Sequence, residues 1–420
     1  MPFHQLRFVP TMKQFLLSMV LLISLYSKAN SQVRDLHMSK GQTKVDIPFD
    51  FQNNFIVVSV LFNNFFPLKF ILDTGAEHTI LTKREITDLL RINYQREFKV
   101  LGSDMQTELV AYLASGIRMQ LGDLTARNRS ILVLDEDYFR FDEFAGIDVH
   151  GILGADFLRR FIVKINYRKQ IVTLYSPQHF TKPGSRYEEL PIEIVRNKPY
   201  VWTEAQFNPD TSLNLKLLYD TGASLAALLY TDTHIDMQLP ESVIRSPIAI
   251  GLGGYLEGYV GRLPGIKIGS FQLQSVVTNY QDLPPTVDST YTNGRNGILG
   301  NLIMQRFIVV IDYFASKMYM SPTRSFRKKF EYDRSGMTLV AAGKNLGQYR
   351  VLNIIEGSPA DEAGVKSGDL VRSINGIPTS LLSLGNIIHK LQKKEGKRTR
   401  LVLKRGDEKL KVRFRLRKLI

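Results

Sequence analysis

The stretch Phe70-Ile71-Leu72-Asp73-Thr74-Gly75-Ala76 returns 147 residues later as Leu217-Leu218-Tyr219-Asp220-Thr221-Gly222-Ala223. In each copy an apolar run, typical of a buried strand, ends at an aspartate that a glycine turn follows. A carboxylate held on such a turn is a chemical feature, and two symmetric copies predict a pair of acids that meet.

The two aspartate motifs belong to a longer internal repeat. Downstream of the first motif, Gly151-Ile152-Leu153-Gly154 and Arg160-Phe161-Ile162-Val163 are matched by Gly297-Ile298-Leu299-Gly300 and Arg306-Phe307-Ile308-Val309. The repeat predicts two homologous units, residues 42–177 and 186–322. Short β-branched and aromatic runs broken by Gly, Asn and Asp predict a mainly β fold. The short helices are expected around residues 83–90, 155–160 and 301–306.

The remainder of the chain has a different composition. Residues 323–334 are charged and lack periodicity, so they are predicted to be a linker. Residues 335–420 are predicted to form a small α+β domain, with a strand at 349–355 and its longer helix at about 384–392.

The net charge of +15 is concentrated in this last part of the chain, since residues 323–420 hold 23 Lys/Arg and nine Asp/Glu. The alternatives are a solvated basic domain and one that binds an anionic membrane surface. No nucleic-acid motif accompanies the charge, so no nucleic-acid partner is predicted. The absence of cysteine excludes disulfides, thiolate metal sites and cysteine nucleophiles.

The first 31 residues have the pattern of a secretory signal. The apolar run at residues 15–25 follows Lys13 and is short for a membrane span. Cleavage after Ser31 would leave Gln32 first, and Met12 is an alternative start. An uncleaved anchor is the other interpretation. The prediction is a secreted, periplasmic or cell-surface protein with no span after signal removal.

Two aspartates in contact cannot both ionise cheaply, so Asp73 and Asp220 are expected to share one proton. Such a pair can take a proton from water and give one to a carbonyl oxygen. Gly75 and Gly222 allow the sharp turns. Thr74 and Thr221 are positioned to hydrogen-bond across the interface between the units.

These motifs, in this order and twice over, resemble the aspartic peptidases across about residues 42–322. The resemblance implies a bilobed pepsin/retropepsin-like fold with Asp73 and Asp220 as the catalytic residues. The alanines after the glycines are more similar to the retroviral-type branch, but both units stand in one chain, which implies a monomer. The residues that the resemblance assigns to support of the active-site loops are Thr74, Gly75, Ala76, Thr221, Gly222, Ala223, Ile152, Leu153, Gly154, Ile298, Leu299 and Gly300.

The chain departs from the pepsin pattern beside the aspartates. Ala76 and Ala223 offer no hydroxyl to the carboxylates, which predicts raised pKa values and a less acidic pH optimum. Glu77 follows the first motif where Ser224 follows the second. Glu77 either binds a basic substrate group or faces solvent.

Glycine-rich hairpin tips occur at equivalent places in the two units. By resemblance, Gly102 and Ser103 in the first unit and Gly251 and Gly253 in the second belong to flaps that close over the cleft. Ordinary surface turns are the alternative.

Residues 335–420 resemble a PDZ domain, through Ser335-Gly336-Met337-Thr338-Leu339, residues 357–364 and residues 368–376. The resemblance implies that Gly336, Met337 and Leu339 line a site for a peptide C-terminus. Thr338 stands where a second glycine is usual. An accessory domain without its own peptide is the alternative.

The sequence therefore predicts an aspartic endopeptidase that acts on a polypeptide, with a PDZ domain for a peptide or partner. The alternative is a catalytically inactive peptide-binding scaffold of the same fold. No His-Glu-x-x-His motif or comparable cluster occurs, so neither a metal nor a cofactor is predicted.

Overall fold

The computed structural model describes residues 36–38, 41–102, 105, 107–138, 142–143, 146, 148–251, 254–285, 287, 292–343 and 345–420. The predicted signal segment, residues 1–31, lies outside this part of the chain. Among the described residues, no helix has the length and apolarity needed to cross a membrane.

The first lobe is built mainly from antiparallel strands, and alternation of residue type explains their faces. In Lys44–Gln52, Val45, Ile47 and Phe49 are buried while the residues between them are exposed. The strands of this lobe are β1 Leu36–Met38, β2 Lys44–Gln52, β3 Phe55–Phe62, β4 Phe66–Leu72, β5 Ile80–Leu81, β6 Tyr94–Leu101, β7 Glu108–Leu121, β8 Leu124–Leu134, β9 Gly151–Leu153, β10 Ile162–Asn166 and β11 Ile171–Tyr175. Its helices are α1 Arg84–Leu89 and α2 Ala155–Leu158.

The second lobe repeats this plan. Its strands are β12 Glu188–Pro191, β13 Glu193–Val195, β14 Lys198–Gln206, β15 Ser212–Tyr219, β16 Ala227–Tyr230, β17 Val243–Gly251, β18 Gly254–Ile268, β19 Phe271–Gln281, β20 Gly297–Leu299, β21 Phe307–Asp312 and β22 Lys317–Pro322. Helix α3, Asn301–Met304, follows β20 as α2 follows β9.

One sheet joins the two lobes. Its strands begin in the order β12-β22-β21-β10-β11-β2 and continue into the first lobe, and β10 of the first lobe pairs antiparallel with β21 of the second. The repeated Phe-Ile-Val runs supply these two central strands, with Ile165 opposite Val309. The predicted mainly β, bilobed fold is confirmed.

The C-terminal domain is a separate small sheet with two helices. Strand β23 lies at one edge of the sheet order β23-β24-β25-β27-β28, and helix α5 packs beside it. The strands are β23 Met337–Ala342, β24 Gln348–Ile354, β25 Leu370–Ile374, β26 Ile377–Pro378, β27 Arg398–Arg405 and β28 Glu408–Arg415. The helices are α4 Pro359–Glu362 and α5 Leu384–Leu391.

The segment between the second lobe and this domain is docked on the second lobe. Phe326 and Phe330 pack on the lobe's core, and the Phe326 ring lies 5.4 Å from that of Phe307. The Arg306 guanidinium stacks 3.6 Å from the centroid of Phe330 and donates to backbone carbonyls of the segment, including that of Ser325 at 3.3 Å. The predicted linker at 323–334 is thus an ordered, partly apolar segment.

Candidate active site

The two aspartates lie at equivalent strand ends, one in each lobe. Strand β4 ends at Leu72 and β15 ends at Tyr219, so the next residue of each strand is an aspartate. The amide of Asp73 donates to the Leu153 carbonyl at 3.0 Å, and that of Asp220 donates to the Leu299 carbonyl at 3.0 Å. The apolar strands β9 and β20 therefore hold the two aspartate backbones in the same way.

A reciprocal set of hydrogen bonds between two threonines locks the loops together. The amide of Thr74 donates to the Thr221 hydroxyl at 3.0 Å, and that of Thr221 donates to the Thr74 hydroxyl at 3.1 Å. The Thr74 hydroxyl donates to the Tyr219 carbonyl at 2.6 Å, and the Thr221 hydroxyl to the Leu72 carbonyl at 2.8 Å. Both threonines are fully buried, so these four bonds fix the relative position of the lobes.

Each carboxyl group packs against the glycine of the other lobe. A Cβ on Gly75 would come within 2.5 Å of Asp220 Cγ, and one on Gly222 would collide with the Asp73 carboxyl. Only glycine leaves room for the carboxyl group of the opposite lobe. Gly75 and Gly222 therefore allow the carboxyl groups of Asp73 and Asp220 to lie face to face. We call these two residues the dyad.

The dyad carboxyls differ in their hydrogen-bond donors. Asp73 Oδ1 accepts from the amides of Gly75 at 2.7 Å and Ala76 at 3.0 Å. Asp220 Oδ1 accepts from the Gly222 amide at 2.7 Å. The additional donor favours the ionised form of Asp73 over that of Asp220.

Burial raises the pKa of both carboxyls. For Asp73 the hydrogen bond with Asp220 and the amides of Gly75 and Ala76 act in the opposite direction, and its pKa stays raised overall. For Asp220 the nearby charge of Asp73 adds to the effect of burial, and its pKa lies well above the usual range. Because the pKa of Asp220 is raised further than that of Asp73, a proton shared by the dyad is favoured on Asp220.

The apolar-apolar-glycine motifs support the dyad loops from behind. The amide of Ala155 at the start of α2 donates to the Ala76 carbonyl at 2.8 Å, and that of Asn301 at the start of α3 donates to the Ala223 carbonyl at 2.9 Å. A Cβ on Gly154 would strike the His78 carbonyl, and one on Gly300 would strike the Leu225 carbonyl. Ile152, Leu153, Ile298 and Leu299 lie in the strands that precede these glycines.

The flap positions are described only in part. Gly102 follows β6 and its amide donates to the Thr107 carbonyl at 2.7 Å, while Gly251 ends β17 opposite Gly254. Ser103 and Gly253 lie outside the described residues. Phe98 and Val100, in the part of the first hairpin that leads to its tip, belong to the apolar cluster that includes Ala76. Closure of either hairpin over the dyad stays a prediction.

Asn301 is a site residue that the sequence motifs missed. It is fully buried, and its side-chain amide donates to the carbonyls of Thr221 at 2.6 Å and Asn54 at 2.8 Å. The Tyr167 hydroxyl donates to Asn301 Oδ1 at 2.7 Å. Asn301 therefore bonds the second dyad loop to a hairpin turn of the first lobe. The signal for it was the asymmetry of the repeat, because Ala155 occupies the equivalent position.

Two basic residues beside the dyad were also missed. Burial lowers the pKa of Lys198, as does the charge of Arg295, while Glu77 and both dyad residues act in the opposite direction. Arg295 is partly buried and lies against Tyr230, and its Nε has no hydrogen-bond partner among the described residues.

The predicted PDZ peptide loop is engaged by an internal carboxylate. Asp333 accepts hydrogen bonds from the Ser335 amide at 2.9 Å and from the Gly336 amide at 2.5 Å. The Met337 amide donates to the Ser335 hydroxyl at 3.2 Å, and Leu339 is buried in the domain core. Burial raises the pKa of Asp333 to about 6.

In the described part of the chain, no group of acidic or histidine side chains is arranged to hold a metal.

The comparisons with known proteins agree with this organisation. Residues 58–157 match the family model described as aspartyl protease, and residues 350–405 match that described as PDZ domain. Among solved structures, the chain is similar to the aspartic proteinase from Irpex lacteus at 16% identity and a TM-score of 0.42, covering 68% of this chain and 98% of that chain. Comparison with curated proteins found no match. The predicted resemblance to the two families is confirmed.

Proposed function

We propose that this chain, which contains an aspartyl protease domain and a PDZ domain, is an endopeptidase that uses Asp73 and Asp220 to cleave polypeptides. The observation that carries the proposal is the packing of each dyad carboxyl against the glycine of the opposite lobe. This arrangement needs both lobes, so one chain supplies a complete site and a monomer suffices.

The proposed reaction uses water as the nucleophile. Charged Asp73 takes a proton from water while the water oxygen bonds to the peptide carbonyl carbon, and Asp220 gives its proton to the carbonyl oxygen. The resulting intermediate is a neutral diol. Its C–N bond then breaks as Asp73 protonates the amide nitrogen and Asp220 takes a proton from one diol hydroxyl. The dyad returns to its starting state with no covalent enzyme intermediate.

The PDZ domain supports a second role in peptide binding. Strand β23 is a sheet edge with helix α5 beside it, and an extended peptide can add to such an edge. Since Gly336 and Met337 already donate their amides within the chain, we propose that the edge strand rather than the loop provides most of the contacts.

Secretion is a further part of the proposal, and it is based on the signal-like sequence pattern of residues 1–31. We propose that the mature protein begins at Gln32 and acts outside the cytoplasm. N-terminal sequencing of the protein isolated from its source tests this, and a sequence that retains the apolar run at residues 15–25 would contradict it.

The activity is tested with a diverse peptide mixture, whose products are identified by mass spectrometry from about pH 3 to pH 8. We expect internal cleavage that a statine-type inhibitor blocks, since its hydroxyl resembles the diol intermediate. Absence of cleavage throughout this range, or cleavage that is insensitive to the inhibitor, would overturn the proposal.

A further inference from the structure

Two equivalent hairpin turns differ in the residue that follows them. In the first lobe Asn53 and Asn54 form the turn between β2 and β3, with φ values of 46° and 67°. In the second lobe Arg196 and Asn197 form the turn between β13 and β14, with φ values of 48° and 66°. The next strand begins with Phe55 in one lobe and with Lys198 in the other.

The first of these turns lies at one end of the site. The Asn54 side chain donates to the carbonyl of Ser224, which directly follows the second dyad motif, at 3.3 Å. Phe55 and Ser224 both line a cavity of about 880 Å³ that is shared with Thr338 and Ile388 of the PDZ domain. We call this the PDZ end of the site.

The pseudo-symmetry of the lobes places Lys198 at the opposite end. Glu77 follows the first dyad motif as Ser224 follows the second, and Lys198 follows its turn as Phe55 does. The electrostatics agree with this placement, because the charges of Glu77 and of both dyad residues act on the pKa of Lys198. The turn itself is held by Arg159, whose guanidinium donates to Asn197 Oδ1 at 2.9 Å. We call this the lysine end.

The lysine end holds a cation, Lys198, for whose side chain the described part of the chain provides no hydrogen-bond or ion-pair partner. Lys198 is partly buried, and no carboxylate of the described residues forms an ion pair with it. The charge of Arg295 lowers the pKa of Lys198 while those of Glu77 and the dyad raise it, so groups of both signs surround this cation. An incoming carboxylate can form a charge-assisted hydrogen bond with Lys198, whereas an incoming cation is repelled by it.

We propose that Lys198 is a specificity-determining residue, which binds an acidic side chain of the substrate at the lysine end of the site. The inference rests on the proposed peptidase function, and it names the class of peptide that this site prefers. Acidic residues are favoured on one side of the cleaved bond only, because Phe55 takes the equivalent place at the PDZ end.

The test compares peptides that carry Glu, Gln or Lys at one position, moved along the sequence on both sides of the cleaved bond. We expect kcat/KM to be about tenfold or more higher for Glu than for Gln at a position on one side. Lys198→Gln should abolish this ratio, and Lys198→Glu should reverse it in favour of Lys. Glu77→Gln should increase it, since a competing carboxylate is removed.

The ratio is read at one fixed pH, so a general change in the dyad's pKa affects both peptides and cancels. Lys44→Gln removes an exposed positive charge far from the dyad motifs and serves as the matched control, with the wild-type ratio expected. Cleavage by the wild type without any preference for Glu would overturn the inference and leave the peptidase function standing.

Binding of the same peptides to Asp220→Asn, measured by calorimetry, separates the two claims. Suppose that the wild type cleaves no peptide, but the Glu peptide binds about tenfold tighter than the Gln peptide and Lys198→Gln removes this difference. The peptidase proposal then fails and the lysine site stands. Equal binding of Glu and Gln peptides in the absence of cleavage would overturn both. If Lys198→Gln does not fold, Lys198→Arg must keep the preference, and loss of the preference in that variant would also contradict the inference.

Discussion

At the scale of single residues, the donors around the dyad set its proton affinity. The amides of Gly75 and Ala76 serve Asp73, and the Gly222 amide serves Asp220. Ala76 and Ala223 add no hydroxyl to these donors. With burial as the main cause, the pKa values of both acids are raised. A raised dyad pKa moves the acid limb of the activity profile to higher pH, because the reaction needs one ionised carboxyl.

A hydroxyl beside either acid should reverse part of this effect. In Ala76→Ser or Ala223→Ser, a donor to the charged carboxylate lowers its pKa, so we expect the acid limb of the kcat/KM profile to move down by about one pH unit. The exposed Ala315→Ser serves as the control and should leave the profile unchanged. An acid limb that stays in place or moves upward in both dyad variants would contradict this explanation.

The motifs of the sequence are local, which decides what could be predicted at this scale. Asp73 and Asp220 could be placed face to face from their strand–aspartate–glycine pattern. The positions of Lys198 and Arg295 near the dyad could not be predicted, because only the folding of the second lobe brings these residues there. Lys198 and Phe55 are recognised as equivalent positions only when the hairpin turns that precede them in the two lobes are compared.

At the scale of elements, short strands and helix starts hold the dyad loops. The repeated Gly-Ile-Leu-Gly motif supplies strands β9 and β20. The helices expected at 83–90 and 384–392 are observed at Arg84–Leu89 and Leu384–Leu391. Asn301 at the start of α3 makes contacts that no periodicity encodes, since its acceptors lie 80 and 247 residues away along the chain.

Removal of the Asn301 side chain should weaken both the fold and the site. Asn301→Ala leaves the buried carbonyls of Thr221 and Asn54 without a donor, and we expect the free energy of unfolding in urea to fall by about 2–3 kcal/mol. The value of kcat should also fall, because the second dyad loop loses a support. Asn208→Ala, at an exposed turn, should cost less than about 0.5 kcal/mol. Equal effects of the two variants would contradict the role of Asn301.

The loop before β23 has its own pH dependence. The pKa of Asp333 is raised to about 6 by burial, above an unfolded value of about 3.9. The folded state therefore binds this proton more tightly, and its stabilising effect is present below pH 4 and is lost as the pH rises through 6.

We expect Asp333 to reduce the free energy of unfolding of the PDZ domain by about 2–3 kcal/mol between pH 4 and pH 7. Asp333→Asn keeps an acceptor for the Ser335 and Gly336 amides without the titration, so this variant should lack that loss. Urea unfolding at the two pH values measures the difference. Parallel stability profiles of wild type and variant would show that the buried carboxyl does not titrate in this range.

At the scale of the whole molecule, the PDZ domain is fastened to the second lobe at both of its ends. Arg262 on β18 donates to the carbonyls of Phe330, at 3.1 Å, and of Ile420, at 3.4 Å. Phe330 and Ile420 are both buried in the core cluster of the lobes. This docking turns the groove between β23 and α5 toward the cavity that Ser224 lines. The charged composition of residues 323–334 did not predict it, because Phe326 and Phe330 are isolated apolar residues in a basic segment.

Loss of Arg262 should loosen the PDZ domain from the lobes. In Arg262→Ala three carbonyls, including that of Ser275, lose their donor, and we expect faster proteolytic cleavage within residues 323–334 and separate unfolding transitions for the two parts. Arg245→Ala, which removes an exposed ion pair with Glu257 on the adjacent strand, is the control. A single cooperative transition with unchanged proteolysis in Arg262→Ala would show that the docking does not depend on this residue.

The central claim is that two lobes of one chain build one catalytic site. The measurement that tests it most directly is the cleavage rate of one peptide by the wild type, by Asp73→Asn and by Asp220→Asn. We predict that each single substitution lowers kcat by about 1,000-fold or more, since the two acids act as a unit, while thermal unfolding confirms that both variants are folded. Full activity in either variant would contradict the claim, because one lobe would then suffice.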